Sequence, residues 1–172
     1  MAARKGSSVA APAPTRAREL VMTHVFHAPR ALVFAAWTER RHLEHWQGAP
    51  EGMTVTTEEA DIRPGGRFRL CMRSPDGQEH WLQGVYREVV PPERLVFTHA
   101  WLDADKRPGT ETLVTITFAE RGDATELTLR QTGFASDASR DGHHEGWAST
   151  FRRLAAYLTE LPAGPSQRGR TA

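Results

Sequence analysis

The feature that most constrains this chain is a long amphipathic segment near its end, preceded by a succession of short strand-like runs. Between Asp137 and Leu161 the residues Trp147, Phe151, Leu154, Leu158 and Leu161 recur at steps of four, three, four and three. That spacing aligns them on one stripe of an α-helix. Arg152, Arg153 and Glu160 fall off the stripe and are expected to face water. Asp137, Ser139 or Asp141 is expected to supply the N-cap oxygen, and Pro162 followed by Gly164 ends the helix. One long helix with a single apolar face needs a sheet to cover.

The upstream residues supply that sheet. Glu19–His27 is rich in β-branched and aromatic residues and reads as a first strand. Pro29 then suits the opening of a helix that places Leu32, Val33, Ala36 and Trp37 on one side, and a second short helix follows at Arg40–Trp46. From Met53 the period changes to two. In Arg67–Arg73, Phe68, Leu70 and Met72 point one way and Arg67, Arg69, Cys71 and Arg73 the other. The turn P-D-G at 75–77 leads into Glu79–Val89, where Trp81, Val85 and Val89 compete with Leu82 and Tyr86 for the inner face and Gly84 is expected to mark a bulge. Leu95, Phe97, His99 and Trp101 share a face of the next strand, with Val96 and Thr98 opposite. Two further alternating runs carry Val114, Ile116 and Phe118, then Leu127, Leu129 and Gln131. Strand, two short helices, about six strands and a long helix make an α+β arrangement built on an antiparallel meander.

Charge narrows the range of partners. The 172 residues carry 22 basic and 21 acidic side chains, a net charge of +1. Residues 1–17 and 162–172 are small, Pro- or Gly-containing and free of acids, and are expected to be disordered tails around a domain at 18–161. Setting aside Arg4, Lys5, Arg16, Arg18, Arg168 and Arg170 leaves 16 basic against 21 acidic residues, about −5 for the folded part. A nucleic-acid reader would concentrate positive charge on its folded surface, so that class is excluded. Cys71 stands alone, so no disulfide framework points to secretion. The apolar run at 31–37 is far too short to span a bilayer, and no membrane insertion is expected. A cytoplasmic location is the default expectation.

Five pieces in order, D-I-R-P-G-G-R-F-R (61–69), P-D-G (75–77), G-V-Y-R-E-V-V-P-P-E-R-L-V-F-T (84–98), T-E-L-T-L-R-Q-T-G-F (125–134) and H-H-E-G-W (143–147), resemble the homologue family named after the activator of heat-shock protein 90 ATPase. That family lies within the START-like, or SRPBCC, superfamily, and the resemblance covers Arg18 to Leu161. It implies a helix-grip fold: a curved antiparallel sheet of six to seven strands wrapped around the C-terminal helix, with a deep, mostly apolar cavity between them. It also implies a small hydrophobic ligand, lipid- or polyketide-like. Two positions depart from the pattern. Gln131 stands where relatives often carry His, and His99 where they often carry an aromatic residue, which implies a different ligand preference. The family's eukaryotic activator carries an additional N-terminal domain with no counterpart here, so a co-chaperone role ranks behind ligand binding.

The expected ligand-binding set is Trp46, Phe68, Leu70, Met72, Tyr86, Phe97, His99, Trp101, Ile116, Gln131, His143, Trp147 and Phe151. Aromatic walls would supply affinity, and a few polar groups orientation. His99, between Phe97 and Trp101, reads as a hydrogen-bonded inner histidine with Tyr86 or Gln131 as partner, or as an acid–base group of a cyclase- or dehydratase-like enzyme with Tyr86 and His143. No Ser/His/Asp or Cys/His set can be assembled, so no catalytic residue is assigned. His42 and His45 have helical spacing for a metal but sit among Arg40, Arg41 and Glu44, as on a solvated face; no metal or cofactor is expected. Cys71 is expected to point outward, and Gly146 to let the helix approach the sheet closely. A homodimer and a protein-interaction module are the remaining open alternatives.

Overall fold

A computed structural model of the chain describes residues 18–47 and 52–161; the two expected tails, 1–17 and 162–172, lie outside the described residues. The order is β1 (Glu19–Phe26), α1 (Arg30–Thr38), α2 (Arg40–Trp46), β2 (Thr54–Ala60), β3 (Arg67–Arg73), β4 (Glu79–Val90), β5 (Arg94–Trp101), β6 (Thr112–Arg121), β7 (Ala124–Thr132) and α3 (Asp137–Glu160). All pairings are antiparallel, and the sheet order is β1-β7-β6-β5-β4-β3-β2. Strands β2 to β7 therefore form one meander, and β1 returns to close it beside β7. The curved sheet and the long helix are a helix-grip fold, with two short helices after the first strand.

Packing follows the two sequence periods. Leu95, Val114, Ile116, Leu127 and Leu129 are fully buried on the inner face of the sheet, where they meet Phe151, Leu154 and Leu158 of α3 in one core. Of the five-residue helical stripe, Trp147 and Leu161 are only partly buried. Phe151 meets Phe26 edge-on at 6.0 Å between ring centroids, which fixes the C-terminal half of α3 over β1. The short helices are too small to persist alone and are tied down. Trp46 Nε1 donates to the Ala36 carbonyl (2.9 Å), joining α2 to α1. Thr125 Oγ1 donates to the Ala28 carbonyl (2.7 Å), and Phe34 packs edge-on against Phe118.

Several local expectations change. The N-cap of α3 is Ser136, not Asp137, Ser139 or Asp141: its extended backbone presents Oγ to the Ser139 N–H at 3.1 Å. Asp137 instead receives Arg18, which also donates to the Ala135 carbonyl, so Arg18 is anchored rather than part of a tail. The β4 bulge falls between Tyr86 and Glu88, not at Gly84. It keeps Leu82 and Tyr86 inside and returns Val89 to the core side beyond it. Gly84 serves close approach: a Cβ there would lie 1.9 Å from the Thr98 carbonyl oxygen and 2.4 Å from the Phe68 ring. Cys71 points to the outer side of the sheet, as expected, but is buried there. Its cross-strand neighbour Trp81 carries Arg69 and Lys106 over its ring, so this face is covered, and burial pushes the Cys71 thiol up. His42 is also buried, within hydrogen-bond distance of the Tyr157 hydroxyl (2.7 Å), because α3 lies against the helical face that its neighbours made look solvated.

Candidate functional site

Above β3–β5 the two layers part. A cleft of about 1000 Å³ lies between the inner face of these strands, the first half of α3 and the end of α2. Its sheet wall is Phe68, Leu70 and Met72 of β3, His80, Leu82 and Tyr86 of β4, and Leu95, Phe97, His99 and Trp101 of β5. Alternation puts every second residue of each strand on this wall, which is why the period-two reading finds them. The helical side is thinner. Gly142, Gly146 and Ser149 face the void, and a Cβ at Gly142 or Gly146 would meet nothing within 4 Å. Gly146 therefore does not serve close helix–sheet packing. It leaves space.

Polar bonds hold this half of α3. Trp147 Nε1 donates to Gln131 Oε1 (2.7 Å), Gln131 Nε2 donates to Thr112 Oγ1 (2.8 Å), and Thr112 Oγ1 donates to the His99 carbonyl (2.9 Å). At the helix start, His143 Nδ1–H donates to the Ser139 carbonyl (2.7 Å) and its Nε2 accepts from Trp101 Nε1 (3.2 Å). Both imidazole nitrogens are thus spent within the protein. Trp101, a residue with 38% exposure, stands at the rim.

His99 is different. Its ring packs against Trp101, His143 and Trp147 at centroid distances of 5.8, 5.2 and 6.0 Å. Nδ1 is shielded from water and has no partner, and neither Tyr86 nor Gln131 bonds the ring. Gln131 is unavailable because both ends of its amide are already used. Burial, and then the adjacent His143, push His99 down to about 3, so the ring is neutral at any ordinary pH. Burial likewise pushes the Tyr86 phenol up.

Ten of the thirteen expected ligand-binding residues border the cleft: Trp46, Phe68, Leu70, Met72, Tyr86, Phe97, His99, Trp101, His143 and Trp147. Ile116, Gln131 and Phe151 do not. Ile116 and Phe151 belong to the closed core where the C-terminal half of α3 meets the sheet, and Gln131 is wholly buried in the polar chain just described. Sequence reasoning missed Trp37, which borders the cleft with a shielded, unpartnered indole nitrogen, and Arg153, whose Nε is also shielded and unpartnered. Trp37 lay on the apolar side of a helix and looked like plain core; Arg153 lay off the apolar stripe and looked solvated. Among the described residues no group of three or more His, Cys, Asp or Glu side chains could hold a metal, and no helix is long and apolar enough to cross a membrane.

A curved antiparallel sheet gripping a long C-terminal helix defines the START-like, helix-grip class of folds. Residues 27–159 match the family model described as "Activator of Hsp90 ATPase homolog 1-like protein", and the chain belongs to that family. No curated protein sequence matches it. Among solved structures, a protein of Chromobacterium violaceum is 29% identical, with 84% of this chain and 98% of that one covered and a TM-score of 0.74. A protein of Silicibacter pomeroyi, titled as a member of the same family, is also 29% identical, with 83% and 99% covered and a TM-score of 0.76. A protein of Mycobacterium smegmatis is 28% identical, covering 84% and 92%, with a TM-score of 0.71.

Proposed function

We propose that this protein is a container for a small, elongated hydrophobic molecule, lipid- or polyketide-like, held between the β3–β5 wall and the first half of α3. The observation that carries this reading is a cleft of about 1000 Å³ whose sheet wall is mainly aromatic and aliphatic, with polar and charged residues on the α3 side. That volume is at the upper end of ordinary small-molecule sites, about 300–1000 Å³. The cytoplasm is the proposed compartment, on the strength of a lone cysteine and the lack of any long apolar run in the sequence.

The acid–base groups favour holding over turnover. Efficient general acids and bases titrate near the working pH. His99 is pushed down to about 3, the Tyr86 phenol is pushed up, and His143 has both nitrogens engaged. A neutral His99 is suited instead to a hydrogen bond with a carbonyl or hydroxyl of a bound molecule, which would satisfy an imidazole that no described side chain bonds.

The test is titration with phenylnaphthylamine, a neutral apolar fluorophore whose emission rises in a dry site. Saturable binding is expected. Trp101→Ala should weaken it about tenfold or more, because it removes an aromatic wall from the rim. Trp81→Ala, on the outer face of the sheet under Arg69 and Lys106, should leave it unchanged. Equal loss in both variants, or no saturable binding by the wild type, would overturn the reading. Native mass spectrometry of freshly purified protein would then identify a co-purified molecule.

A further inference from the structure

Three charged residues of α3 border the cleft, Glu145, Arg152 and Arg153, and the last of them is not explained by the apolar wall. Arg153 lies on the flank of α3 that borders the void, half-buried, with its Nε shielded from water and without a hydrogen-bond partner. Among the described residues, no carboxylate lies within ion-pair distance of Arg153 or of its neighbour Arg152, which also borders the cleft. Of the other described arginines, the exposed Arg67 and Arg87 also lack an acidic partner, but neither borders the cleft. Arg18, Arg30, Arg40, Arg41, Arg63, Arg69, Arg73, Arg94, Arg107, Arg121, Arg130 and Arg140 each have an acidic partner within 4 Å.

A partly desolvated cation without a counter-ion is less favourable than one that is paired or fully hydrated. Here burial, and then Arg152, push the Arg153 guanidinium below its ordinary value, although it remains charged. A second orphan donor, the indole N–H of Trp37, also belongs to the cleft wall. Both are donors without acceptors, so the missing complement is an acceptor-rich, negatively charged group. Guanidinium is a planar fork suited to an oxyanion.

Position gives the ligand's polarity. His143, which abuts His99, and Arg153 are ten residues apart on α3, a rise of about 15 Å along the axis. The cleft therefore has a neutral polar pole at His99 and a cationic pole at Arg153, with aromatic and aliphatic wall between them.

We propose that the cleft takes an elongated apolar acid, its oxyanion head group at Arg153 and Arg152 and its chain directed toward Trp101 and His99. This rests on the container reading and narrows it from any hydrophobic molecule to an amphipathic anion.

The experiment compares dodecanoate, dodecyl phosphate and dodecanol, each at monomeric concentration, as displacers of phenylnaphthylamine from the full chain. The wild type should bind at least one of the two anions about tenfold or more tightly than dodecanol, and the anion preferred distinguishes a carboxylate from a phosphate head. Arg153→Gln should abolish that preference, lowering anion affinity about tenfold more than dodecanol affinity, with Arg152→Gln giving a smaller loss. His99→Gln should preserve the preference, since the anion does not sit there. Dodecanol binding as tight as both anions, or an anion preference that survives in Arg153→Gln, overturns this inference and leaves the container reading standing. Failure of all three to displace a saturably bound fluorophore also overturns this inference alone, and absence of saturable fluorophore binding overturns both. A thermal melt of each variant shows whether it is folded at the temperature of the titration.

Discussion

The two halves of α3 play different parts on the same sheet. The C-terminal half buries Phe151, Leu154 and Leu158 against β1 and the inner strands and leaves little space. The N-terminal half has no fully buried side chain, borders the cleft, carries two glycines that face open space, and is positioned by hydrogen bonds from Trp101 and Trp147. An apolar stripe alone would have closed the whole length of the helix onto the sheet. What keeps a void open is a change of bonding halfway along one helix, from apolar contact to polar tethers that hold the helix at a distance.

The largest expected effect tests that division directly. Leu154 is fully buried in the closed half, so Leu154→Ala should destabilise the protein by about 2–5 kcal/mol. Ser149→Ala, on the cleft side, should change stability by less than about 0.5 kcal/mol, as for a substitution away from packed groups. Chemical denaturation of both variants makes the comparison. Similar losses at the two positions would mean that the halves are equally packed and that the division is wrong.

The sequence displayed the closed half better than the open one, for a physical reason. Hydrophobic periodicity reports which residues leave water, and Phe151, Leu154, Val114 and Leu129 leave it by packing against each other. Phe97, Leu70 and Trp147 show the same periodicity yet border a cleft. Only the resemblance to a family with an internal cavity separated those two outcomes. Gln131 shows the limit of that inference: its place on an inner face suggested a ligand contact, but its amide is fully engaged by Trp147 and Thr112, which lie on other elements. Arg153 shows the converse. A charged residue off the apolar stripe reads as solvated, and nothing local reveals that the sheet and α2 leave a recess beside it. Helix and strand boundaries depend on local chemistry and were legible; the Ser136 cap was missed because it lies one residue before the candidates that the spacing suggested.

A smaller effect comes from the neutral pole of the open half. His99 titrates at about 3 when folded and near 6.5 when unfolded. As pH falls through about 6.5, the unfolded chain takes up a proton that the folded protein refuses, so folding stability is lost on acidification. This one group contributes at most about 1.4 kcal/mol per pH unit in that window. Between about pH 6.5 and 5 the wild type should lose roughly 1–2 kcal/mol that His99→Gln does not lose. Parallel stability curves for the two proteins would show that His99 is accessible to water when folded. Ligand affinity, by contrast, should owe no pH dependence to His99 between about 5 and 8, where the folded ring stays neutral, and His99→Gln should leave dodecanol affinity within about tenfold.

The smallest effect on stability is also the most specific to the open half. Gly142 and Gly146 sit inside a helix, where glycine is less favourable than alanine by roughly 0.5–1 kcal/mol through backbone entropy. Close packing does not account for Gly146, because a Cβ there would touch nothing within 4 Å. Gly146→Ala should therefore stabilise the protein by about 0.5–1 kcal/mol, a gain available only where the helix faces a void. Gly146→Leu should keep much of that gain, since leucine is a good helix former and its side chain would lie against the apolar wall. It should also occupy space that a ligand would need, weakening phenylnaphthylamine binding by about tenfold or more. Thermal melts and fluorophore titration on the same two variants separate the consequences. Stabilisation with undiminished binding in Gly146→Leu would show that the ligand lies elsewhere in the cleft, nearer the β3–β5 wall. Destabilisation by Gly146→Ala would show that the first half of α3 packs on the sheet as tightly as the second, and the comparison between the halves would fail.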